Sequence, residues 1–300
     1  GGPGTTTYVL SYLLYTLVAR REESFFRWLL RVAFTGAFVF YVFFVGRWDV
    51  ASTYLRYVWL ALYAAAAAVS YVRQEKIPLF VPDDRQRWIG LANYGFTLLV
   101  ALGFLGFALR DHVTSQQPVR LELPFPEGRY YVAQGGNSLI VNYAANSRSQ
   151  QFALDIVALN AFGARANGIY PSDPARYVIF GRPLHSPCDG AVTAAVDGFP
   201  DLPPPERDRE NPAGNHVVIS CMNVELLMAH MENGSVAVEA GETVETGQMV
   251  GRVGNSGNTT EPHLHIHAVE GGGPGVFEGD AVPIFFRRRL PTRNTVFVVE

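Results

Sequence analysis

His263, His265 and His267 stand at alternate positions. In an extended strand that spacing sends all three side chains to one face. Burying three imidazoles together is costly unless each finds a polar partner. A neutral imidazole nitrogen is a good zinc ligand, so a shared metal is one answer. A solvated histidine stripe on an exposed sheet face is the other, and one His-x-His spacing leaves both open. Five of the seven histidines fall between 216 and 267. The chain has no His-Glu-x-x-His helix, and Gly271 to Gly273 lacks the strand–turn–helix context of a nucleotide site. Cys188 and Cys221 are too few for a disulfide scaffold and too far apart for a Cys-x-x-Cys knuckle. They read either as one disulfide in an oxidising compartment or as two lone buried thiols.

The elements that must position these residues occupy the second half of the chain. From about 120 the sequence breaks into short β-rich runs separated by Gly, Pro, Asn and Asp. Predicted strands cover 128–133, 138–143, 152–158, 190–196, 215–221, 224–231, 249–253, 263–269 and 295–299. Strands at this spacing without intervening helical periodicity argue for an antiparallel all-β unit. Two long irregular loops, 160–181 and 199–214, interrupt it, and loops of that length often serve as walls or lids.

The first half is built for a different solvent. Residues 88–109 carry no charge, and neither do 57–72 or 32–46. A helix needs about 20 mostly apolar residues to span a bilayer. Trp28, Arg27 and Arg31 can extend the 32–46 segment at the interface, whereas 7–19 is apolar but short. The prediction is three or four transmembrane helices within 1–110, a linker at 111–127, and an extracytoplasmic β domain at 128–300. The small side chains Ala64 to Ala68 would let helices approach closely. Arg20, Arg21, Arg27 and Arg31 flank one predicted loop, and Arg73, Lys76, Arg85 and Arg87 another. The positive-inside rule places both in the cytoplasm, so residues 110 onward face outward. This predicts a multi-pass protein of the cell (inner) membrane with the lipid bilayer as partner. The helices 32–109 hold no buried Asp, Glu or Lys to mark an ion path, and so read as an anchor or a platform for a membrane-protein partner. A net charge of −3 gives no pull toward nucleic acid. Gly1-Gly-Pro-Gly4 reads as a trimmed terminus or an expression scar.

Several segments stand in the order of a known family. They are Phe152-Ala-Leu-Asp155, Pro187-Cys-Asp-Gly-Ala-Val192, Gly214-Asn-His-Val-Val-Ile219, Ala229-His230-Met231, the Gly-punctuated run 238–251, and Pro262-His-Leu-His265. Over roughly 130–270 the chain resembles the lysostaphin/LytM-type zinc endopeptidases, which cut peptide cross-links in bacterial cell walls. The resemblance implies an antiparallel β fold, one zinc ion held by Asp155 and His265, and His230 and His263 beside the metal as catalytic groups. It also exposes a departure. The family's first ligand is a histidine four residues before the aspartate, and here that place is Gln151, a poor zinc donor beside imidazole. His185, which precedes the Pro187 strand, and His267, at the family's glutamate position, are the other candidates for the remaining ligand. His185 reads equally as a surface turn residue, and His216 as structural or groove-lining.

The resemblance implies a membrane-anchored peptidase acting on peptidoglycan or a related peptide. The alternative is a degenerate domain that binds wall peptide or regulates a partner hydrolase. A lipoyl-type carrier would need an exposed hairpin lysine, and the chain's only lysine is Lys76.

Overall fold

The computed structural model describes residues 3–74, 77–80, 85–111, 113–271 and 278–300. Lys76, His112, Gly272 and Gly273 therefore lie outside the described residues. Two compact units emerge, one of Gly1–Gly46 with Tyr54–Leu109 and one of Arg47–Thr53 with Arg110–Glu300.

The first unit holds four helices: α1 (Pro3–Ala19), α2 (Phe25–Val45), α3 (Leu55–Arg73) and α4 (Arg85–Arg110). Ser24 caps α2 by accepting from the Arg27 amide. Among the described residues, three helical segments are long and apolar enough to cross a membrane, namely Phe25–Val45, Leu55–Arg73 and Leu91–Arg110. Helix α1, at 17 residues, falls short, as its sequence suggested. Trp28 donates to Ser70 at 2.9 Å and the Tyr63 hydroxyl to the Val32 carbonyl at 3.0 Å, tying α2 to α3. The close approach between these helices is at Gly36, where a Cβ would run into Tyr63. Of Ala64 to Ala68, only Ala66 is buried.

The second unit is all β. In chain order it contains β1 (Val119–Leu121), β2 (Gly128–Gln134), β3 (Leu154–Ala158), β4 (Pro183–His185), β5 (Gly190–Val196), β6 (Asn215–Cys221) and β7 (Val224–Met231). There follow β8 (Thr243–Val244), β9 (Met249–Arg252), β10 (Leu264–Glu270), β11 (Asp280–Val282), β12 (Ile284–Phe286) and β13 (Val296–Val299). The main sheet is antiparallel in the order β13-β2-β3-β10-β7-β6-β5-β8, with β11 beside β10. Strands β4 and β9 form a small antiparallel sheet, and β1 pairs with β12 in parallel.

Two expectations are corrected. Residues 138–143 are turns and not a strand: Ser138 accepts the Val141 and Asn142 amides, and the Asn142 side chain donates to Gly136 and Gln151 carbonyls. An Asn able to satisfy backbone groups locally competes with the ladder. The 111–127 segment, read as a linker, contains β1 and groups with the β unit.

Alternation along the central strands sets two faces. Leu154, Ile156, Leu226, Met228, Leu264 and Ile266 enter the main hydrophobic core. The residues between them, Asp155 on β3 and His265 and His267 on β10, leave on the opposite face. Cys188 and Cys221 are joined in a disulfide.

Candidate metal centre

Register brings the polar residues together. In the antiparallel pairing of β10 with its two neighbours, His265 lies opposite Asp155 on one side and Ala229 on the other. Directly opposed residues place their side chains on the same face within about 5 Å. His265 Nδ1 accordingly lies 2.9 Å from Asp155 Oδ1. On the same oxygen, His263 Nε2 stands at 3.4 Å.

His230 reaches this face by a different route. Alternation after Ala229 would send it into the core. Instead its φ is +63° and the β6–β7 register shifts between Asn215 and Val217. A left-handed residue at a bulge re-aims its side chain. The ring consequently lies 4.9 Å from that of His263 and 5.8 Å from that of His265.

The turn between β9 and β10 holds these rings in place. Asn255 and Ser256 are fully buried, with Ser256 Oγ donating to the Met231 carbonyl and accepting the Asn215 amide. A Cβ at Gly254 would overlap the Glu232 backbone, and Gly257 adopts φ +84° against Gly214. Carbonyls of the turn fix two tautomers. His230 Nδ1 lies 2.9 Å from the Ser256 carbonyl, and His263 Nδ1 lies 2.8 Å from that of Glu261. A carbonyl only accepts, so Nδ1 carries the proton in both rings and each Nε2 presents a lone pair. His263 Nε2 is buried without a hydrogen-bond partner. His265 Nε2 meets His267 Nδ1 at 3.0 Å, so fully buried His267 orients the ring that faces Asp155.

Burial would raise the Asp155 carboxyl, but His263 and His265 beside it hold it well below the usual carboxylate range. Burial and the neighbouring imidazoles push His230 down, favouring its neutral form. Burial also acts to lower His263, yet Asp155 raises it above an ordinary histidine.

The donor set fits a zinc ion. Ligand atoms of His230, His263 and His265 lie within 4.8 Å of one another, an Asp155 oxygen lies beside two of them, His265 and His263, and one buried ring nitrogen has no hydrogen-bond partner. Nitrogen and carboxylate donors in that combination suit zinc's four-coordinate preference.

The two other ligand candidates are elsewhere. Gln151 Nε2 donates to Asn137 Oδ1 at 2.7 Å, and its carbonyl accepts from Asn142. His185 lies on β4, half-buried, in the small sheet with β9. His216 is half-buried, with Nδ1 against the Gly214 carbonyl at 2.7 Å, as a structural residue would be.

A cavity of about 290 Å³ opens beside Asp155 and His263, lined also by Tyr143, Thr259, Arg47 and Arg207. The Asp155 carboxylate, more than burial, pushes the Tyr143 phenol up. Tyr143, Arg47 and Arg207 escaped the sequence reading. Tyr143 sat in a run mistaken for a strand, and Arg47 is 108 residues from Asp155 (155 − 47) in what looked like a plain connecting loop.

Residues 178–275 match the model for peptidase family M23, the family of the lysostaphin/LytM-type endopeptidases that the motifs resemble. Among solved structures, the chain is similar to the catalytic domain of the prophage-encoded M23 protein EnpA from Enterococcus faecalis. Identity there is 23% over 43% of this chain and 72% of that one, with a TM-score of 0.29. Csd3 from Helicobacter pylori is 22% identical over 52% of this chain and 33% of its own, with a TM-score of 0.30. For the catalytic domain of lysostaphin from Staphylococcus simulans the values are 18%, 54% and 89%, with a TM-score of 0.27.

Proposed function

Because the β unit carries a peptidase family M23 domain, we propose that the protein is a zinc-dependent endopeptidase held at the outer face of a membrane. Its substrate is the peptide cross-link of peptidoglycan or a related peptide. The observation that carries this reading is the convergence of Asp155, His265, His263 and His230, with two Nε2 lone pairs fixed by carbonyl contacts. A histidine stripe on a solvated face would need no such anchoring.

Asp155 and His265 bind the metal in this reading, with His267 steering His265. Zinc with an open coordination position lowers the pKa of bound water from 15.7 to about 7 and so supplies a nucleophile at neutral pH. His263 and His230 face the reacting centre through Nε2. One takes the proton from the attacking water, and the other stabilises the oxyanion or returns a proton to the departing amine. Their Nδ1 contacts to backbone carbonyls keep each ring in the orientation those transfers need. With Gln151 committed to Asn137, a third protein donor would have to come from His263 or His230, and in that case the one remaining ring would serve both proton-transfer roles.

Three apolar helices support a membrane anchor. Arg47–Thr53, the stretch between α2 and α3, shares a compact unit with residues 110–300. This supports a topology in which both lie on one side of the bilayer, which the loop charges make the outer side. A disulfide suits that compartment.

The second reading is a domain that binds wall peptide without cutting it, and Gln151 hydrogen-bonded away from the cluster favours it. Metal analysis of the purified full chain separates the two. Near one zinc per chain, lost in Asp155→Ala, supports the peptidase, whereas metal-free protein under zinc-replete conditions selects the binding module. Release of soluble fragments from peptidoglycan then tests cleavage. Equal release by wild type and His263→Ala overturns the role given to His263.

A further inference from the structure

Arg47 belongs by sequence to the short connection between two membrane helices, yet it stands in the wall of the β unit's cavity. Its guanidinium pairs with Asp49, Nε to Oδ1 at 2.9 Å and Nη2 to Oδ2 at 2.8 Å, and Nη2 also reaches Glu261 Oε1 at 2.9 Å. Glu261 is shared with Arg165, whose Nε lies 2.7 Å from Oε2. The Arg165 amide donates to the Asp49 carbonyl at 2.9 Å. Asp49 and Arg165 side chains are completely buried. This four-residue network immobilises Arg47 while leaving its Nη1, with two N–H groups, without a partner among the described residues.

Charge makes that free donor informative. Within the network two arginines balance Asp49 and Glu261. Arg207 adds a further positive charge to the cavity wall. Arg293 adds another behind it, donating to the Ala133 carbonyl at 3.1 Å and to the Gln134 side chain, and Gln134 lines the cavity. Burial and the charge on Arg47 push Arg293 down to about 10, so it still holds its proton at neutral pH. Of the carboxylates facing the cavity, Glu261 is consumed by its arginines and Asp155 by its histidines. The surplus is positive. A guanidinium held rigid with one edge free is suited to a carboxylate, which it meets with directed N–H donors.

We propose that the cavity beside the metal centre is a carboxylate subsite, in which Arg47 Nη1 binds an acidic group of the peptide next to the bond to be cut. Arg47 is then a specificity-determining residue, and the α2–α3 connection is part of the peptide-binding groove. This rests on the peptidase reading for the word "cut", but not for binding.

The test uses the full-length chain in detergent and two peptidoglycan-derived cross-linked peptides, identical except that one has its free carboxylates converted to amides. Binding is measured by fluorescence anisotropy in the presence of a chelator, so that no turnover intervenes, and cleavage is measured separately with zinc. Wild type should bind the carboxylate form about tenfold to hundredfold more tightly, the range for a hydrogen bond to a charged group. Arg47→Lys keeps a charge against Asp49 but lacks the second guanidinium edge. It should lose most of that preference, read as the ratio of its affinities for the two peptides. Arg207→Gln, on the exposed rim, should lose a smaller part of the preference and guards against misfolding of the Arg47 variant. Selectivity that survives in Arg47→Lys, or wild type that does not distinguish the two peptides, overturns the subsite. If selective, Arg47-dependent binding occurs without any cleavage, the subsite stands and the peptidase reading falls.

Discussion

His267 is buried, makes no contribution to the cavity wall, and touches the ring that faces Asp155. Partners of this kind fix the tautomer of a metal ligand, and their loss typically weakens metal affinity by about 10- to 100-fold. His267→Gln should therefore bind zinc more weakly by that factor in a competitive chelator titration, while Asp155→Ala should abolish binding. An affinity unchanged in His267→Gln would make it a packing residue only. The alternation of His263, His265 and His267 was legible because strand geometry is regular. Which of the three stands opposite Asp155 is not legible from alternation alone, since that depends on the neighbours of β10 across the sheet. Gln151 stands where the pattern of the resembled family has a histidine. The contact that ties it to Asn137 lies in a turn whose sequence, Ser138-Leu-Ile-Val-Asn-Tyr143, imitates a strand.

At the scale of elements, the long strands of the main sheet were legible, whereas the two- and three-residue strands β1, β4, β8, β11 and β12 and the irregularities of the sheet were not. The bounds of β6 and β7 coincide with the apolar runs 215–221 and 224–231. Nothing in Ala229-His230-Met231 announces a positive φ, because the kink arises from the bulge opposite and from the buried turn 254–257 that packs on it. Gly254 is the tightest point of that packing. Gly254→Ala must displace the Glu232 backbone, and overpacking of this type costs about 1–3 kcal/mol. Thermal unfolding should fall accordingly, and zinc affinity with it, because Glu232 follows the strand that aims His230. A variant as stable as wild type would mean the turn can yield.

The buried charge network also belongs to this scale. Burial would raise Asp49, but Arg47 and Arg165 hold it below its ordinary value. A carboxyl whose folded value is depressed adds stability above its unfolded value of about 3.9, and loses it as pH falls through the folded value. Asp49→Asn leaves Glu261 alone to balance two arginines, and breaking a buried pair is worth about 3–5 kcal/mol. The stability gap between wild type and Asp49→Asn should be constant above about pH 5 and should narrow as acid protonates Asp49. Denaturation midpoints from pH 3 to 7 would read it, and a gap independent of pH would refute the ionised pair.

For the whole molecule, the division into an apolar and a β half is written in composition, because long uncharged runs and short strands broken by turn residues leave different residue patterns. The assignment of Arg47–Thr53 to the β half was invisible, since local sequence shows only a polar break between apolar runs. The Cys188–Cys221 disulfide, left open between two readings, closes a sequence separation of 33 residues. Loop-closure entropy for that length amounts to roughly 4 kcal/mol. Reduction, or the double Cys188→Ser and Cys221→Ser change, should lower the unfolding transition of the β unit while leaving the helical unit's untouched. An unshifted transition would mean that the reduced chain is equally constrained.

The β unit is thus assembled from two stretches of chain that are separated by helices α3 and α4. During synthesis Arg47–Thr53 emerges well before Arg165 and Glu261, its partners, exist. The connection must wait as a template against which the later chain closes. Its counterpart is a restriction on shedding. Proteolysis after Arg110 would liberate a fragment with a buried Arg165 facing the vacated place of Asp49. Such a fragment would lack Arg47 and Asp49, the partners of Glu261 and Arg165, so release would cost the β unit part of its buried charge network.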